Sequence, residues 1–480
     1  MIFKPNFLLV LLLFILIPTL SQGDQNQETD DNPQLTKQWS GDYGEMVERK
    51  VIRVLVVPNK MFYFVDQGRH YGITVDFFKE FETYINEKEQ TDTLKITVIF
   101  LPVQRDQILQ ALAEGRGDIA AANLTITPER RELADFSAPL LTGVKEIVIT
   151  GPDEKPLERL EDLSGRRLHL RPSSSYFQHV TKLNETFKAR GLAPVEIIEA
   201  EEFLEDADLL EMVNAGLVPA VIVDDHKARF WGQIFAQITL HPDVFVNEGG
   251  EIAWAFRKNS PQLEANVNEF VKTIKKGTLL GNIVFKKYLK ENKWAKNSLS
   301  PDEQKKFQQV VDLFKTYADR YQFDYLMTGA LAYQESQLDH SKSSQVGAVG
   351  IMQLLPTTAA DKNVGIPDIK KLEDNIHAGH KYLRFLQDRY FSDPGIDELN
   401  RYLFTFASYN AGPAKIAGLR QEAEKQGLDP NVWFQNVEVL AAKRIGRETV
   451  QYVSNIYKYY LSYKLALNKA EKAAAAKQAP

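Results

Sequence analysis

Glu335 is a carboxylate on a helical pattern that otherwise turns apolar residues towards one face. Met327 and Leu331 are four residues apart, Glu335 falls at the next step of four, and Leu338 continues the stripe. A charged carboxylate at such a position is costly to bury. Two interpretations are open: Glu335 is a surface residue near a helix end, or its surroundings raise its pKa so that it can deliver a proton.

Four short strings in the C-terminal half bear on this choice. They are QES at 334–336, VGIMQL at 349–354, SYNAGP at 408–413 and ETVQYV at 448–453. Taken alone, each is compatible with an ordinary turn or helix cap. In this order they resemble the lysozyme-like catalytic domain of the soluble lytic transglycosylases, over roughly 312–460. The one departure from that family's pattern is Ser408, where alanine is usual.

The resemblance implies a chemical role for Glu335. In that family the glutamate protonates the leaving oxygen of the β-1,4 bond between MurNAc and GlcNAc in peptidoglycan. It then takes a proton from the sugar's 6-hydroxyl, which attacks in place of water and leaves a 1,6-anhydro-MurNAc end. A glutamate with an ordinary pKa of ~4.3 is nearly all ionised at neutral pH, so the role needs partial burial. Glycosidases usually employ two carboxylates; the second candidate, Asp339, is predicted to be solvated in the loop DHSKSSQ.

The same resemblance assigns further residues to the site. Met352, Gln353, Tyr409 and Asn410 are expected to line the glycan groove, with Glu448 and Tyr452 orienting and polarising it. Ser336 is expected to support the loop beside the acid. No cofactor and no metal are implied.

Composition limits the function classes. The chain has 480 residues, a formal net charge of -6 and no cysteine. Nucleic-acid binding by bulk electrostatics gains no support from this balance, and disulfides, thiolate metal sites and cysteine nucleophiles are excluded. His377 and His380 have no acidic or cysteine companions and are predicted to lie on a helix surface rather than to bind metal.

The N-terminus has the pattern of an exported protein. Lys4 precedes an apolar run from Phe7 to Leu20, which is shorter than the ~20 residues of a spanning helix, and small residues follow up to Gly23. Residues 1–23 are therefore predicted to be a cleaved signal peptide; the alternative is an uncleaved N-terminal anchor. The polar stretch 24–44 is predicted to be a disordered leader.

Beyond the leader the chain changes pattern once. Strand-like runs alternate with amphipathic helices over 45–290, which predicts an α/β fold with mainly parallel sheets. In this region Ser260 is predicted to be the N-cap of a helix that begins at Pro261. Lysine-rich residues 291–302 are the predicted linker, and 303–467 reads as an all-α domain. The low-complexity tail 468–480 is predicted to be disordered.

The first domain also resembles a known family. LTITPERR at 124–131, followed by DFS at 135–137, is similar to the family-3 extracellular solute-binding proteins, two-lobed domains that bind amino acids. The resemblance covers about 51–289 and implies ligand contacts. Arg130 would pair with the ligand's α-carboxylate, Asn123 and Thr125 would add hydrogen bonds, Asp224 would take the α-ammonium, and Phe62 and Tyr63 would stack on the side chain. Asn123 replaces the family's common glycine; alternatively, Arg130 and Asp224 are surface charges on a scaffold that has lost its ligand.

The two resemblances together predict an enzyme that binds peptidoglycan glycan strands and carries an amino-acid or muropeptide sensor. It would act in the periplasm, peripherally on the outer membrane. The alternative is a binding protein whose helical domain grips glycan without cutting it; release of soluble sugar from murein separates the two.

Overall fold

The computed structural model describes residues 38–66, 69–91, 94–289 and 299–478, in which an α/β region precedes a helical region. The predicted signal peptide and residues 24–37 of the predicted leader lie outside them. The strands are β1 Val51–Val56, β2 Phe64–Asp66, β3 Arg69–Tyr71, β4 Thr97–Pro102, β5 Ile119–Thr125, β6 Asp135–Phe136, β7 Leu141–Thr150, β8 Arg167–Leu170, β9 Glu196–Glu199, β10 Ala220–Asp224 and β11 Thr239–Phe256. The helices of the α/β region are α1 Tyr43–Glu48, α2 Ile73–Lys88, α3 Ile108–Ala113, α4 Pro128–Leu133, α5 Ser175–Ala189, α6 Asp206–Asn214, α7 Asp225–Trp231, α8 Pro261–Ile274 and α9 Leu279–Leu289.

The central sheet is mixed, with strand order β10-β7-β11-β5-β1-β4. Its parallel pairs are β1 with β4 and β1 with β5, while β11 runs antiparallel to β5, β6 and β7. The expectation of mainly parallel sheets was therefore wrong. The reason is the 18-residue strand β11, which returns through the sheet in the opposite direction; alternation of strands and helices does not report the direction of such a strand.

The sheet divides the α/β region into two lobes. We call 43–140 with 252–289 the first lobe and 144–247 the second lobe; β7 and β11 run from one to the other. Each lobe contains an apolar cluster of its own, around Leu55 and Ala253 in the first and around Val148 and Phe187 in the second, beside a larger cluster that both lobes share. Residues of both lobes, among them Phe62, Arg105, Asp206 and Lys227, line a recess between the lobes, which we call the cleft.

Asp42 ties the start of the described chain to the first lobe. Its carboxylate accepts hydrogen bonds from the N–H groups of Gln262 and Leu263, both at 2.9 Å, at the start of α8. Ser260 occupies the predicted N-cap position, but its side chain makes no capping hydrogen bond. An acidic side chain is stabilised at the positive end of a helix dipole, which explains why a distant carboxylate can replace the local hydroxyl. The predicted leader 24–44 therefore ends earlier than expected.

The helical region contains eight helices within the described residues. They are α10 Pro301–Tyr321, α11 Tyr325–Ser336, α12 Pro356–Ala360, α13 Leu372–Tyr390, α14 Glu398–Ala411, α15 Pro413–Lys425, α16 Glu438–Arg444 and α17 Arg447–Gln478. The linker was predicted over 291–302, but α10 already starts at Pro301. Residues 290–298 lie outside the described residues. No helix in the described ranges is both long enough and apolar enough to cross a membrane.

The last helix extends through most of the tail predicted to be disordered. α17 continues to Gln478, because alanine, lysine and glutamate are strong helix formers and extending a helix needs no new nucleation. Lys469, inside that tail, donates to Asp153 at 3.1 Å and to the carbonyl of Gly216 at 2.9 Å. The prediction of a disordered tail from residue 468 was wrong for this part.

α17 also joins the helical region to both lobes. Arg447 donates to the Tyr63 hydroxyl of the first lobe at 3.2 Å. Lys458 forms an ion pair with Asp208 of the second lobe at 2.9 Å. Buried apolar side chains form one continuous cluster across the same interface. The helical region thus rests on the pair of lobes rather than on one of them.

Candidate functional site

Glu335 is the penultimate residue of α11. The helix starts at the cap Asp324, whose carboxylate accepts from the N–H of Leu326 at 2.7 Å, and its middle is buried on all sides. It ends at Ser336, since Gln337 and Leu338 have φ values of 58° and 59° in the left-handed region. The prediction that Leu338 continues the helical stripe was therefore wrong. The chain leaves the helix directly after the acid.

The environment of Glu335 suits a proton donor. Burial raises the pKa of its carboxyl to about 7, against the ordinary value of 4.5. The Tyr452 hydroxyl donates to Oε1 at 2.5 Å, which favours the ionised form and opposes part of that rise. Tyr452, expected to orient and polarise the groove, thus contacts the acid directly. Near neutral pH the carboxyl can both hold and release a proton, as a group that acts first as acid and then as base requires.

The loop below the acid is fixed by buried polar groups. Ser336, fully buried, donates from its hydroxyl to the carbonyl of Ile351 at 2.8 Å, so it supports the loop and is not accessible to substrate. Asn375 accepts from the N–H of Met352 at 2.9 Å. Gly350 has φ 81°, and a Cβ there would lie 2.4 Å from the Asn375 amide nitrogen. The loop therefore needs glycine at 350 for two independent reasons.

Met352 and Gln353 differ in their access to solvent. Met352 is fully buried, so its predicted place in the groove was wrong; its carbonyl instead accepts from the Tyr409 hydroxyl at 2.7 Å. Gln353 is half-buried, and its amide donates to the carbonyls of Gly350 and Lys342 at 2.8 and 3.0 Å. Its side-chain carbonyl stays oriented by these two bonds.

The end of α14 supplies the other predicted groove residues. Tyr409 is half-buried and Asn410 is exposed. Asn410 Oδ1 accepts from the Thr449 hydroxyl at 2.7 Å, a contact that the sequence reading missed. Glu448 was expected to orient and polarise the groove, yet it is exposed in the first turn of α17. Thr449, the next residue in the same string, is the one that orients a groove residue.

Asp339 does not act with Glu335 as a paired carboxylate. Its Oδ1 accepts from the N–H and the hydroxyl of Ser341 at 3.0 and 2.6 Å. These hydrogen bonds lower the pKa of Asp339, so it stays ionised, as predicted for a residue in the polar loop.

His377 and His380 were both predicted to lie on a helix surface, and the structure contradicts this for His380. His380 is fully buried, with its ring bonded to the Ile376 carbonyl at 2.8 Å and to the Thr328 hydroxyl at 3.0 Å. Burial lowers its pKa to about 4, so it is a neutral core residue and not a surface one. His377 is half-buried and stacks on Tyr317 with 4.6 Å between ring centroids.

In the first domain, Arg130 and Asp224 are both buried, with 9% and 1% exposure, so the alternative that they are surface charges was wrong. Arg130 donates to the carbonyls of Thr125 at 2.9 Å and Ser173 at 3.0 Å. Burial lowers the pKa of its guanidinium to about 10. Thr125 belongs to the first lobe and Ser173 to the second, so Arg130 spans the cleft.

Asp224 lies across the cleft from Arg130 and has partners within the protein. Its Oδ2 accepts from the Asn123 amide and from Lys227 Nζ, both at 2.8 Å. Lys227 was missed at the sequence level, although a lysine three residues after an acid on a helix faces it. Phe62 lines the recess that contains Lys227, whereas Tyr63 is buried and contacts His70 and Arg447. Tyr63 was therefore wrongly expected to stack on a ligand.

Charged pairs close the cleft. Arg105 of the first lobe holds both carboxylate oxygens of Glu205 of the second, at 2.8 and 2.7 Å. Arg171 donates to Glu205 at 2.5 Å and to Asp206 at 2.6 Å. Such bidentate geometry fixes the two lobes relative to each other.

Comparisons with known proteins cover both regions. Residues 52–291 match the bacterial extracellular solute-binding proteins, family 3, and residues 312–432 match the transglycosylase SLT domain. A protein of Desulfosudis oleivorans named membrane-bound lytic murein transglycosylase F is 29% identical over 430 residues, which cover 85% of this chain and 89% of that protein. A protein of Pseudomonas fluorescens with the same name is 24% identical over 436 residues, covering 86% and 84%.

Solved structures also resemble the α/β region. An ancestral arginine-binding protein bound to glutamine is 25% identical with a TM-score of 0.41, covering 51% of this chain and 99% of that one. A binding component of an ABC transporter from Wolinella succinogenes, complexed with lysine, is 19% identical with a TM-score of 0.43, covering 51% and 98%.

Proposed function

Since this chain belongs to the bacterial extracellular solute-binding proteins, family 3, and is a lytic murein transglycosylase by its SLT domain and its relatives, we propose that it cleaves the MurNAc–GlcNAc β-1,4 bond of peptidoglycan without water. The observation that carries this proposal is the half-buried carboxyl of Glu335, with a pKa of about 7 and the Tyr452 hydroxyl on Oε1. In the first step the protonated Glu335 gives its proton to the glycosidic oxygen.

The second step needs a base and a nucleophile. Asp339 is ionised but its carboxylate is engaged by Ser341. The polar groove residues Gln353 and Asn410 are neutral amides, which are poor bases for water. Glu335, now ionised, is the remaining base, and it takes the proton of the sugar's 6-hydroxyl. Attack by that hydroxyl is intramolecular, with effective molarities of up to ~10⁵–10⁸ M in well-oriented cases, so the product ends in 1,6-anhydro-MurNAc.

We place the glycan strand along the end of α14. Exposed Asn410, held by Thr449, and half-buried Gln353 and Tyr409 offer polar groups, and Tyr409 is close enough to Glu335 for that carboxyl to raise its pKa. Sugars are bound by such planar amides and hydroxyls, which donate and accept in fixed directions. We further propose that the catalytic unit extends over 303–467.

Digestion of sacculi in ¹⁸O-labelled water tests the reaction. We expect muropeptides one water lighter than hydrolysis products and without ¹⁸O. Labelled reducing ends would mean that water attacks and that a second catalytic group exists. Glu335→Gln, which keeps the side-chain shape, should abolish release of soluble muropeptides while sacculi are still bound. Sacculi bound but never cut by the wild type would instead favour the binding-only alternative.

We propose that the first domain is a ligand sensor for the catalytic domain. Its support is the buried Arg130 between two lobes that both contact α17, through Tyr63 and Asp208. A ligand can shift such an arrangement only through different affinities for two states. Calorimetry with amino acids and short peptides tests this role, and the absence of any micromolar to millimolar binding would contradict it.

We also propose export by cleavage near Gly23 and peripheral association with the outer membrane. The support is the N-terminal pattern of Lys4 and the apolar run, and the "membrane-bound" name of the relatives. Mass analysis of the mature protein tests it, because an intact Met1 would indicate a retained anchor.

A further inference from the structure

Lys227 occupies the position in the cleft that was predicted for a ligand's α-ammonium. Its Nζ lies 2.8 Å from Asp224, 2.7 Å from Asp206 and 3.2 Å from the Tyr176 hydroxyl. An ammonium has three N–H donors, so these three acceptors use all of them. Lys227 is itself buried, with 6% exposure, and Asp224 has 1%. The acid assigned to the ligand is thus already neutralised by a side chain of the same chain.

The other cleft acids are matched as well. Glu205 takes Arg105 and Arg171, and Asp206 takes Arg171 and Lys227. Three cations therefore face the three acids Glu205, Asp206 and Asp224. A second ammonium at Asp224 would meet the positive charge of Lys227 at close range, which is unfavourable in a buried site.

Arg130 is the cation that remains without an acidic partner. Both described hydrogen bonds of its guanidinium go to backbone carbonyls, and no ion pair joins it to a carboxylate in the described part of the chain. The acid Glu146 is engaged by the Ser175 hydroxyl at 2.7 Å and by the His179 ring at 2.5 Å. A buried guanidinium in this state calls for an anion, and a planar carboxylate matches its geometry.

Asp224 keeps one open acceptor. Its Oδ1 is buried and has no hydrogen-bond partner among the residues that the structure describes, while Oδ2 is fully used. A neutral N–H would satisfy Oδ1 without adding positive charge next to Lys227. Buried acceptors are rarely left unpaired, so Oδ1 is an acceptor that a donor group of a ligand could use.

We propose that the cleft binds a carboxylate whose α-nitrogen is acylated, with the carboxylate on Arg130 and the amide N–H on Asp224 Oδ1, and that Lys227 discriminates against free α-amino acids. Both an N-acylated amino acid and the C-terminal residue of a peptide have this chemistry. The inference rests on the proposed ligand-binding role of the first domain and specifies its ligand class.

Calorimetry on the full-length protein tests the proposal with three probes: N-acetylalanine, alanylalanine and alanine, each in L and D forms. We expect the first or second probe to bind, and alanine to bind on the order of tenfold more weakly or worse, because like charges are placed side by side. N-acetylalanine bound without alanylalanine points to a small acylated ligand, and the reverse points to a peptide end; either supports the proposal. Equal or tighter binding of alanine would overturn the proposal but leave the sensor role intact. Failure of all probes would overturn both.

Variants test the roles of Lys227 and Arg130 separately. Lys227→Ala removes the internal ammonium and should raise the affinity for alanine relative to N-acetylalanine by on the order of tenfold, reversing the preference. Lys227→Gln, which fills more of the space, serves if the alanine variant does not fold. Lys188→Ala, an exposed lysine on α5, is the matched control and should leave both affinities unchanged. Arg130→Met should abolish binding of every carboxylate; an unchanged preference in the Lys227 variants would contradict the proposal.

Discussion

Removing the hydroxyl of Tyr452 should move the pH profile of the enzyme. The hydroxyl donates to Glu335 Oε1 at 2.5 Å and holds the pKa of that carboxyl below the value that burial alone would give. A hydrogen bond to a charged group contributes ~1.5–3 kcal/mol, and one pKa unit corresponds to ~1.36 kcal/mol. Tyr452→Phe should therefore raise the pKa of Glu335 from about 7 by about one to two units.

The direction of the change in activity follows from the role of Glu335. The active free enzyme carries the protonated carboxyl, so kcat/KM falls as pH rises through its pKa. In Tyr452→Phe this alkaline limb should shift upwards by about one to two pH units. The maximum should be lower than in the wild type, because the carboxyl loses a partner that fixes its orientation.

The assay is release of soluble muropeptides from purified sacculi between pH 5 and 10. Tyr463→Phe is the matched control: Tyr463 is also buried on α17, and its ring stacks on Phe307 at 4.6 Å, a contact that phenylalanine keeps. That variant should leave the limb in place. An unmoved limb in Tyr452→Phe, or one shifted to lower pH, would refute the assignment of Glu335 as the acid whose pKa Tyr452 controls.

Three further outcomes are expected. Because the folded-state pKa of Glu335 is raised from 4.5 to about 7, wild-type stability is lost as pH rises through that window, so Glu335→Gln should match the wild type near pH 4 and exceed it at pH 8 by up to about 3 kcal/mol in urea unfolding. Equal stability at both pH values would contradict the burial of the charge. Gly350→Ala should destabilise the catalytic domain by ~1–2 kcal/mol or more, measured by thermal unfolding, since Gly350 has φ 81° and its Cβ would meet Asn375. Thr449→Val should raise KM for glycan more than it lowers kcat, since it frees Asn410 without touching the acid; an effect on kcat alone would speak against the groove role.

The sequence was informative wherever a function depends on one residue and its immediate neighbours. Glu335 could be found because it interrupts an apolar stripe and sits in a short string. Its contact with Tyr452 joins residues 117 positions apart, and only the family resemblance could place them together. The same resemblance could not separate a residue that touches substrate from one that supports it. Burial decided this for Ser336 and Met352, which lie fully inside the fold.

Charge pairing in the first domain was the feature that could least be predicted from the sequence. Arg130 and Asp224 follow from a motif, but the role of Lys227 depends on the positions of Asp206 and Tyr176 in space. A motif records which residue types are retained and not which of their partners are already satisfied. The proposed ligand class therefore needs the side-chain geometry, in which the Arg130 guanidinium bonds only to backbone carbonyls and Asp224 Oδ1 has no hydrogen-bond partner among the described residues.

The helix α17 contacts both lobes and carries the hydroxyl that binds the acid. Within it, Tyr452 lies five residues after Arg447, which contacts the first lobe, and six before Lys458, which contacts the second. A change in the angle between the lobes would act on both ends of this short stretch and so on the position of the hydroxyl. Because that hydroxyl stabilises the ionised form of Glu335, even a small displacement changes the pKa of the acid rather than only the shape of the groove. Any coupling is reciprocal in binding free energy, so glycan bound beside Glu335 would in turn alter the affinity of the cleft for the carboxylate ligand proposed above.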